Sequence, residues 1–385
     1  MTAVAGTTAE PAPAPSGPLP DRGGRRLPRT LHPVAWWVWA LALATAVSRT
    51  DNPLLLFLVL AVLGYVVTAR RTEAPWARGF KYYLWLALTV VAIRVVFRAV
   101  FATGITPRDH FLFSLPHLPT PDWYAGIRIG GPVSLEALLS AATDGLRLAC
   151  MLCCIGAANT LANPKRALRV LPGALYELGV AVTVAISVAP QLVRSVQRVT
   201  RARKLRAGRA KGVRALRGIV VPVLEDALER SLRLAAAMDS RGYGRAGTAT
   251  RTSRRVTGAL MLLGMCGLCA GAYGLLDATA PAFLGLPAMA VGALLCVAGL
   301  RLGGRRVTRT AYRPDPWRLP EWAVAGSGVL SAVLLFAGLG YDPAQLNPTF
   351  YPLTWPELPL VPTAAILLAG TAGFLAPEPH RADAP

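Results

Sequence analysis

The sequence predicts an all-α polytopic membrane protein of about eight transmembrane helices, with a helical insert on the cytoplasmic side. Three observations predict it. Hydrophobic residues make up 54% of the 385-residue chain, the mean hydropathy is +0.44, and 16% of residues are charged, where a soluble domain carries roughly 25%. Apolar runs of about 20 residues, the length that crosses a bilayer, recur along the chain. The formal charge of +21 is unevenly placed. Seventeen Lys and Arg against four Asp and Glu lie between Pro190 and Arg255, more than half of the excess.

Residues 1–30 open with Ala, Pro, Thr and Gly and carry one charge before Asp21, the composition of a disordered tail. Arg22, Arg25, Arg26 and Arg29 then precede the first apolar run. Spans are expected at 32–48, 53–69, 80–101, 133–157, 256–276, 282–300, 321–340 and 358–376. Ala44-Thr45-Ala46 has the small residues of a signal-peptidase site, but a second apolar run comes almost at once, so the first is read as a retained helix. A further run, Ala174 to Ala189, stops at Pro190 and is marginal by length. Lys and Arg concentrate on cytoplasmic loops. Counting 174–189 as a span would put the basic segment outside. Rejecting it keeps that segment inside, with Arg301 to Arg318 inside and Asp277, Asp342 and Glu357 outside. The expected organisation is a tail (1–30), four spans (31–157), a cytoplasmic insert (158–255), four more spans (256–376) and a second tail (377–385). Both termini face the cytoplasm of a cell that holds the protein in its plasma or inner membrane.

Within the insert, Asn163-Pro164 starts a short helix over 164–171, broken near Pro172-Gly173. A second helix is expected over 174–206, kinked or broken at Pro190. Gly208, Gly212 and Gly218 loosen the chain after it, and a third helix runs over 222–239 from Pro222. In it Val223, Ala227, Leu228, Leu234, Ala235 and Met238 recur at three- and four-residue steps, an amphipathic pattern. It ends in AAAMDSRGYGRAG, residues 235–247, where Gly242 reads as a C-terminal glycine cap. Gly242 to Gly247 matches GxGxxG, but comes after a helix rather than a strand, the wrong context for a dinucleotide fingerprint. No GxxxxGK[ST] phosphate loop occurs.

No catalytic, cofactor or metal-binding set emerges. Cys150/Cys153 and Cys266/Cys269 have CxxC spacing, yet no His or acid lies close in sequence to complete a zinc site, so all six cysteines read as packing residues. His32, His110, His117 and His380 form no acid–base grouping, and His110 and His117 read as solvated loop residues. Charges inside the spans need partners. Arg94 and Arg98 on the third span match the depths of Asp144 and Glu136 on the fourth, which predicts that the two helices pack with these charges paired. The ten Lys and Arg from Arg194 to Arg217 admit three partners: nucleic acid, disfavoured because no aromatic residues are interleaved; anionic lipid heads, at about 1 kcal/mol per charge; or a soluble protein. A membrane-embedded enzyme, or an anchor using this insert to hold lipid or nucleic acid, is the alternative class.

One pattern favours the soluble partner. Leu205-Arg206-Ala207 and Ser240-Arg241-Gly242 each end a helix on an arginine beside a small residue. Pro190-Gln-Leu192, Arg206 and Ala237-Met-Asp-Ser-Arg241-Gly-Tyr, with Pro164, Leu168 and Leu171 upstream, resemble the transmembrane coupling (T) component of energy-coupling factor transporters, the cobalt-transport permease family. The resemblance is close over 160–245 and extends over 31–160 by hydropathy and by the His-Pro and Asn-Pro starts of the first spans. Leu205-Arg206-Ala207 departs from the family's Ala-Arg-Gly, and Ser195 stands where an acid is common. The resemblance implies a non-catalytic subunit of an ATP-driven importer of vitamins or metal ions. Its partners would be two ABC ATPase subunits, which Arg206 and Arg241 would engage, and a separate substrate-binding S component. It implies no cofactor and no nucleic acid. Residues 280–376 look like extra spans beyond the family core.

Overall fold

The computed structural model describes residues 31–72, 79–101, 110–116, 130–170, 173–205, 213–243, 251–277, 281–304, 316–351 and 353–378. The helices are α1 (Pro33–Val47), α2 (Pro53–Arg70), α3 (Phe80–Val100), α4 (Leu135–Leu161), α5 (Pro164–Arg169), α6 (Tyr176–Leu205), α7 (Val213–Ser240), α8 (Arg251–Leu276), α9 (Leu286–Gly304), α10 (Leu319–Ala337), α11 (Pro343–Leu346), α12 (Leu360–Gly370) and α13 (Ala372–Leu375). Strands β1 (Phe111–Leu115) and β2 (Gly131–Ser134) pair antiparallel just before α4, a small ribbon within an otherwise helical membrane protein.

Among the described residues seven helices are long and apolar enough to cross a membrane: α2, α3, α4, α6, α8, α9 and α10. Two of the eight expected spans are shorter. The 15 residues of α1 reach about 22 Å at 1.5 Å per residue, less than a hydrocarbon core of about 30 Å. The last span is divided into α12 and α13 at Thr371. Conversely α6, whose apolar first half is not an expected span, passes by length and composition because it runs on as a single 30-residue helix.

Local chemistry sets the helix starts. Pro33 and Pro53 occupy first helical positions, where a missing N–H costs nothing. His32 Nδ1 accepts from the Val34 N–H at 3.3 Å, and Asn52 Oδ1 from the Leu54 N–H at 3.0 Å. Ser134 caps α4 through the Ala137 N–H.

The core lies between α1, α2, α4, α10 and α12, with Trp39, Leu43, Leu55, Leu63, Val324 and Ile366 fully buried. The C-terminal helices α10 to α13 are therefore not additions to a finished bundle. Trp39 Nε1 donates to the Ala369 carbonyl at 3.0 Å, and Arg70 Nε to that of Gly373 at 2.6 Å. A Cβ on Gly328 of α10 would stand 2.8 Å from the Trp39 Cα, so α10 and α1 approach at backbone distance. Asn52, with no exposed surface, donates through Nδ2 to the carbonyls of Gln345 (3.0 Å) and Glu357 (2.6 Å). The α1–α2 corner and the segment around α11 are thus tied together.

Helices α8 and α9 form a hairpin of their own. A Cβ on Gly292 would meet the Leu268 nitrogen at 2.5 Å, and one on Gly271 the Met289 nitrogen at 2.5 Å. Small residues facing each other let membrane helices close to van der Waals contact of their backbones. Helix α3 packs on α4 through Gly145 and Gly156, while its far side leaves Tyr82, Trp85, Leu88 and Phe97 exposed.

The expected pairing of Arg94 and Arg98 with Glu136 and Asp144 is not formed among the described residues. Glu136, 2% exposed in the first turn of α4, is taken by His110. The His110 N–H donates to both carboxylate oxygens at 3.1 Å, and its Nδ1 lies 2.6 Å from Oε1. The β-ribbon delivers His110 to that position; its side chain is solvated as expected, 73% exposed, but also partners Glu136. His117 lies outside the described residues. Asp144 lies 4.0 Å from Arg147 one turn on, and Arg147 reaches Asp51 at 2.5 Å. Arg94 lays its stem over Gly145 and is exposed, the posture of a long cation that packs its methylenes and carries its head outward. Depth along the sequence matches the right helices, but the nearer partners come from elsewhere: His110 from the ribbon takes Glu136, and Arg147 of α4 itself stands beside Asp144 while reaching Asp51.

Candidate functional site: the antiparallel helices α6 and α7

The site expected from the sequence is the pair of helices carrying the basic insert. Helix α6 continues through Pro190 without a break, although proline removes one backbone donor from the ladder. Helix α7 starts at Val213, nine residues before the expected start at Pro222. Gly218, expected to loosen this segment, is helical and serves packing. A Cβ there would stand 2.8 Å from Nη1 of Arg203 on α6, so glycine makes room for that guanidinium.

The helices are joined at a polar contact. The Ser195 hydroxyl, on a residue 3% exposed, donates to Oδ2 of Asp226 at 2.6 Å. Arg230, one turn along α7, donates to both oxygens of the same carboxylate, through Nη2 at 2.8 and 2.9 Å and Nε at 3.1 Å. The Ser195 hydroxyl, helped by Arg230 and Arg198, holds the Asp226 carboxyl below its ordinary range. Val223, 6% exposed, lies one turn before Asp226. An acid at position 195 would face Asp226 with like charge; the serine supplies a donor instead.

Contacts at Ser195–Asp226 and Arg203–Gly218 make the pair antiparallel, so the two C-terminal ends lie on opposite sides of this contact. From Ser195 to Leu205 is about 15 Å of helix and from Asp226 to Ser240 about 21 Å. The two ends are therefore separated by up to about 36 Å along the pair.

The end of α7 is built as the glycine predicts. Gly242 has φ +75°, its N–H donates to Asp239 O at 2.9 Å, and the Tyr243 N–H donates to Met238 O at 3.0 Å. These two bonds make a Schellman cap, which needs a residue in the left-handed region after the last turn. Between them Arg241 is exposed, as are Ser240 and Gly242. No Cβ-sized obstacle lies within 4 Å of Gly242, so a surface could approach the arginine closely. At the other end, Leu205 closes α6 with 88% of its surface exposed; Arg206 and Ala207 lie outside the described residues. One feature not expected from the sequence is a stripe on α7. Leu224, Leu228 and Leu232, one per turn, are 59–63% exposed. The four-residue step is legible in the sequence, but not which apolar face the fold leaves uncovered.

No group of three or more His, Cys, Asp or Glu converges as a metal site among the described residues. Cys150, Cys153 and Cys154 are buried on α4, and the Cys150 thiol points to the Leu56 carbonyl at 3.4 Å, a packing arrangement between α4 and α2.

The chain is thus a multi-pass helical bundle carrying a long, basic, antiparallel helix pair with a capped arginine at the end of one helix. The family model of the cobalt transport protein family, CbiQ, matches residues 24–252. The chain belongs to this family, which is that of the T components of energy-coupling factor transporters. No curated protein matches the chain. The matched region contains α1 to α7 and ends as α8 begins.

Proposed function

We propose that the chain is the energy-coupling transmembrane subunit of an ECF-type ABC importer. It carries no catalytic role, lies in the cell membrane and has both termini in the cytoplasm. Two ABC ATPase subunits each take one end of the antiparallel pair, one through Arg206 beyond α6 and one through Arg241 at the tip of α7. A guanidinium at a helix end offers a planar fork for carboxylates or carbonyls in a partner's groove. Closure of the ATPases on ATP moves the two ends relative to each other. The Ser195–Asp226–Arg230 contact holds α6 and α7 together, so the motion is passed on rather than absorbed. The Leu224–Leu228–Leu232 stripe is the surface for the substrate-binding membrane component, which carries a vitamin or metal ion inward.

The observation that carries this reading is the Schellman cap that holds Arg241 exposed at the end of a 28-residue helix packed on α6. Co-expression with candidate ATPases tests it. The unaltered chain should copurify with two ATPase subunits. Arg206→Ala with Arg241→Ala should weaken docking and transport at least tenfold, with membrane insertion unchanged. Full ATPase binding by the double variant would sink the reading, as would a cysteine at position 210 that reacts only from outside intact cells.

A further inference from the structure

A cavity of about 580 Å³ lies between α2, α3, α4 and the irregular segment that links α11 to α12. We infer that it is a lipid site, holding one acyl chain of a membrane phospholipid. The inference rests on the chain being membrane-embedded and not on the coupling role.

Location comes first. The α4 wall is Leu135 to Leu146, its first three turns, and α2 contributes Pro53 and Phe57. Both helices are long and apolar enough to span. The cavity runs inward from the first residues of these two helices, Pro53 and Leu135, and Phe57 and Leu139 on its wall are 59% and 38% exposed, the apolar surface that a spanning α2 and α4 would turn to hydrocarbon.

The chemistry of the wall then selects the occupant. Phe57, Leu139, Leu146, Phe350, Leu353 and Trp355 supply aromatic and aliphatic surface. The side-chain hydroxyls on the wall belong to Thr143 and Thr354, and both are already used. Thr143 donates to the Leu139 carbonyl at 2.9 Å, and Thr354 to that of Thr349 at 3.0 Å. A buried water needs two to four polar partners, and a polar solute would lose its hydration for nothing in return. A hydrocarbon chain loses nothing. The volume falls in the range of ligand pockets, roughly 300–1,000 Å³. Trp355, 93% exposed at the rim, is the residue type that settles at the boundary between acyl chains and head groups. Nearly half of the lining, Pro348 to Pro356, lies beyond the matched residues 24–252, so the site depends on this chain's C-terminal part.

The test counts lipid. After extensive detergent washing, native mass spectrometry of the full chain should show one retained phospholipid per protein. Ala142→Phe, which puts a ring into the cavity from α4, should lose it. Leu88→Phe, on the exposed side of α3, should keep it. A photoreactive benzoylphenylalanine at position 353 provides an arm independent of the folding of the first variant, and its irradiation should add the mass of a phospholipid. An unaltered protein that carries no such lipid, an Ala142→Phe variant that carries as much, or a position-353 probe that captures a co-expressed membrane protein instead, would each overturn the inference.

Discussion

Replacing Asn52 should detach the C-terminal segment from the α1–α2 corner, by an amount the hydrogen bonds allow to be worked out. The side chain is completely buried and does three things: Oδ1 caps α2 at Leu54, and Nδ2 holds the carbonyls of Gln345 and Glu357. Loss of an N-cap costs about 1 kcal/mol. Each partly buried carbonyl left without its donor costs about 1 kcal/mol more, the lower end for such groups. Asn52→Ala should therefore destabilise the protein by about 3 kcal/mol. Asn52→Ser keeps a cap and should recover about 1 kcal/mol of that. Asn52→Asp also keeps the cap acceptor, but sets a carboxylate against two carbonyl oxygens and should fare worst. Equilibrium unfolding in mixed micelles gives the ranking, and limited proteolysis at 347–357 reports whether that segment has come loose. Ala and Ser variants within about 0.5 kcal/mol of the unaltered protein, the range of ordinary surface changes, would refute the argument that these bonds hold the segment.

Gly242→Val forces a β-branched residue into the left-handed region, a cost of about 1–2 kcal/mol; it should fray the end of α7 and weaken ATPase copurification while insertion, read by membrane fractionation, stays normal. Gly292→Ala should lower the thermal midpoint because its Cβ would lie 2.5 Å from the Leu268 nitrogen, whereas Gly258→Ala, with nothing within 4 Å, should not. Asp226 has its acid constant held down in the folded state, chiefly by Ser195. Its contribution is thus present above the ordinary carboxylate pKa of about 4 and is lost as pH falls through the depressed value. Spin labels at Val193→Cys and Leu228→Cys should report separation of α6 from α7 at low pH, and Ser195→Ala should move that separation to higher pH. The same onset in both backgrounds would show that the Ser195 hydroxyl does not govern the carboxylate.

Much of the fold was legible because hydrophobic length and helix punctuation are local. Asn52-Pro53, Pro164 and Gly242 mark helix ends where the structure has them, and the last even prescribes its cap, since a left-handed backbone after the final turn calls for glycine. The start of α7 was not legible: Gly218 and Pro222 are helix breakers in isolation, and only Arg203, lying against Gly218 from another helix, turns the glycine into a packing device. His110 is solvated, as its sequence neighbourhood suggests, but nothing in that neighbourhood shows that a two-stranded ribbon will also lay it on Glu136.

From its sequence the chain is determined to be a helical membrane protein with a basic internal segment ending in an arginine on a glycine cap, because apolar runs, charge asymmetry and caps act over a few residues. Tertiary structure decided the rest. It set His110 on Glu136 and Arg147 beside Asp144 in place of Arg94 and Arg98, joined α6 to α7 through Ser195 and Asp226, and put α10 and α12 inside the core of α1, α2 and α4. Those outcomes depend on which helices can approach at backbone distance, as Gly328 lets α10 do against Trp39. That is a property of two surfaces fitted together, carried by residues almost three hundred positions apart.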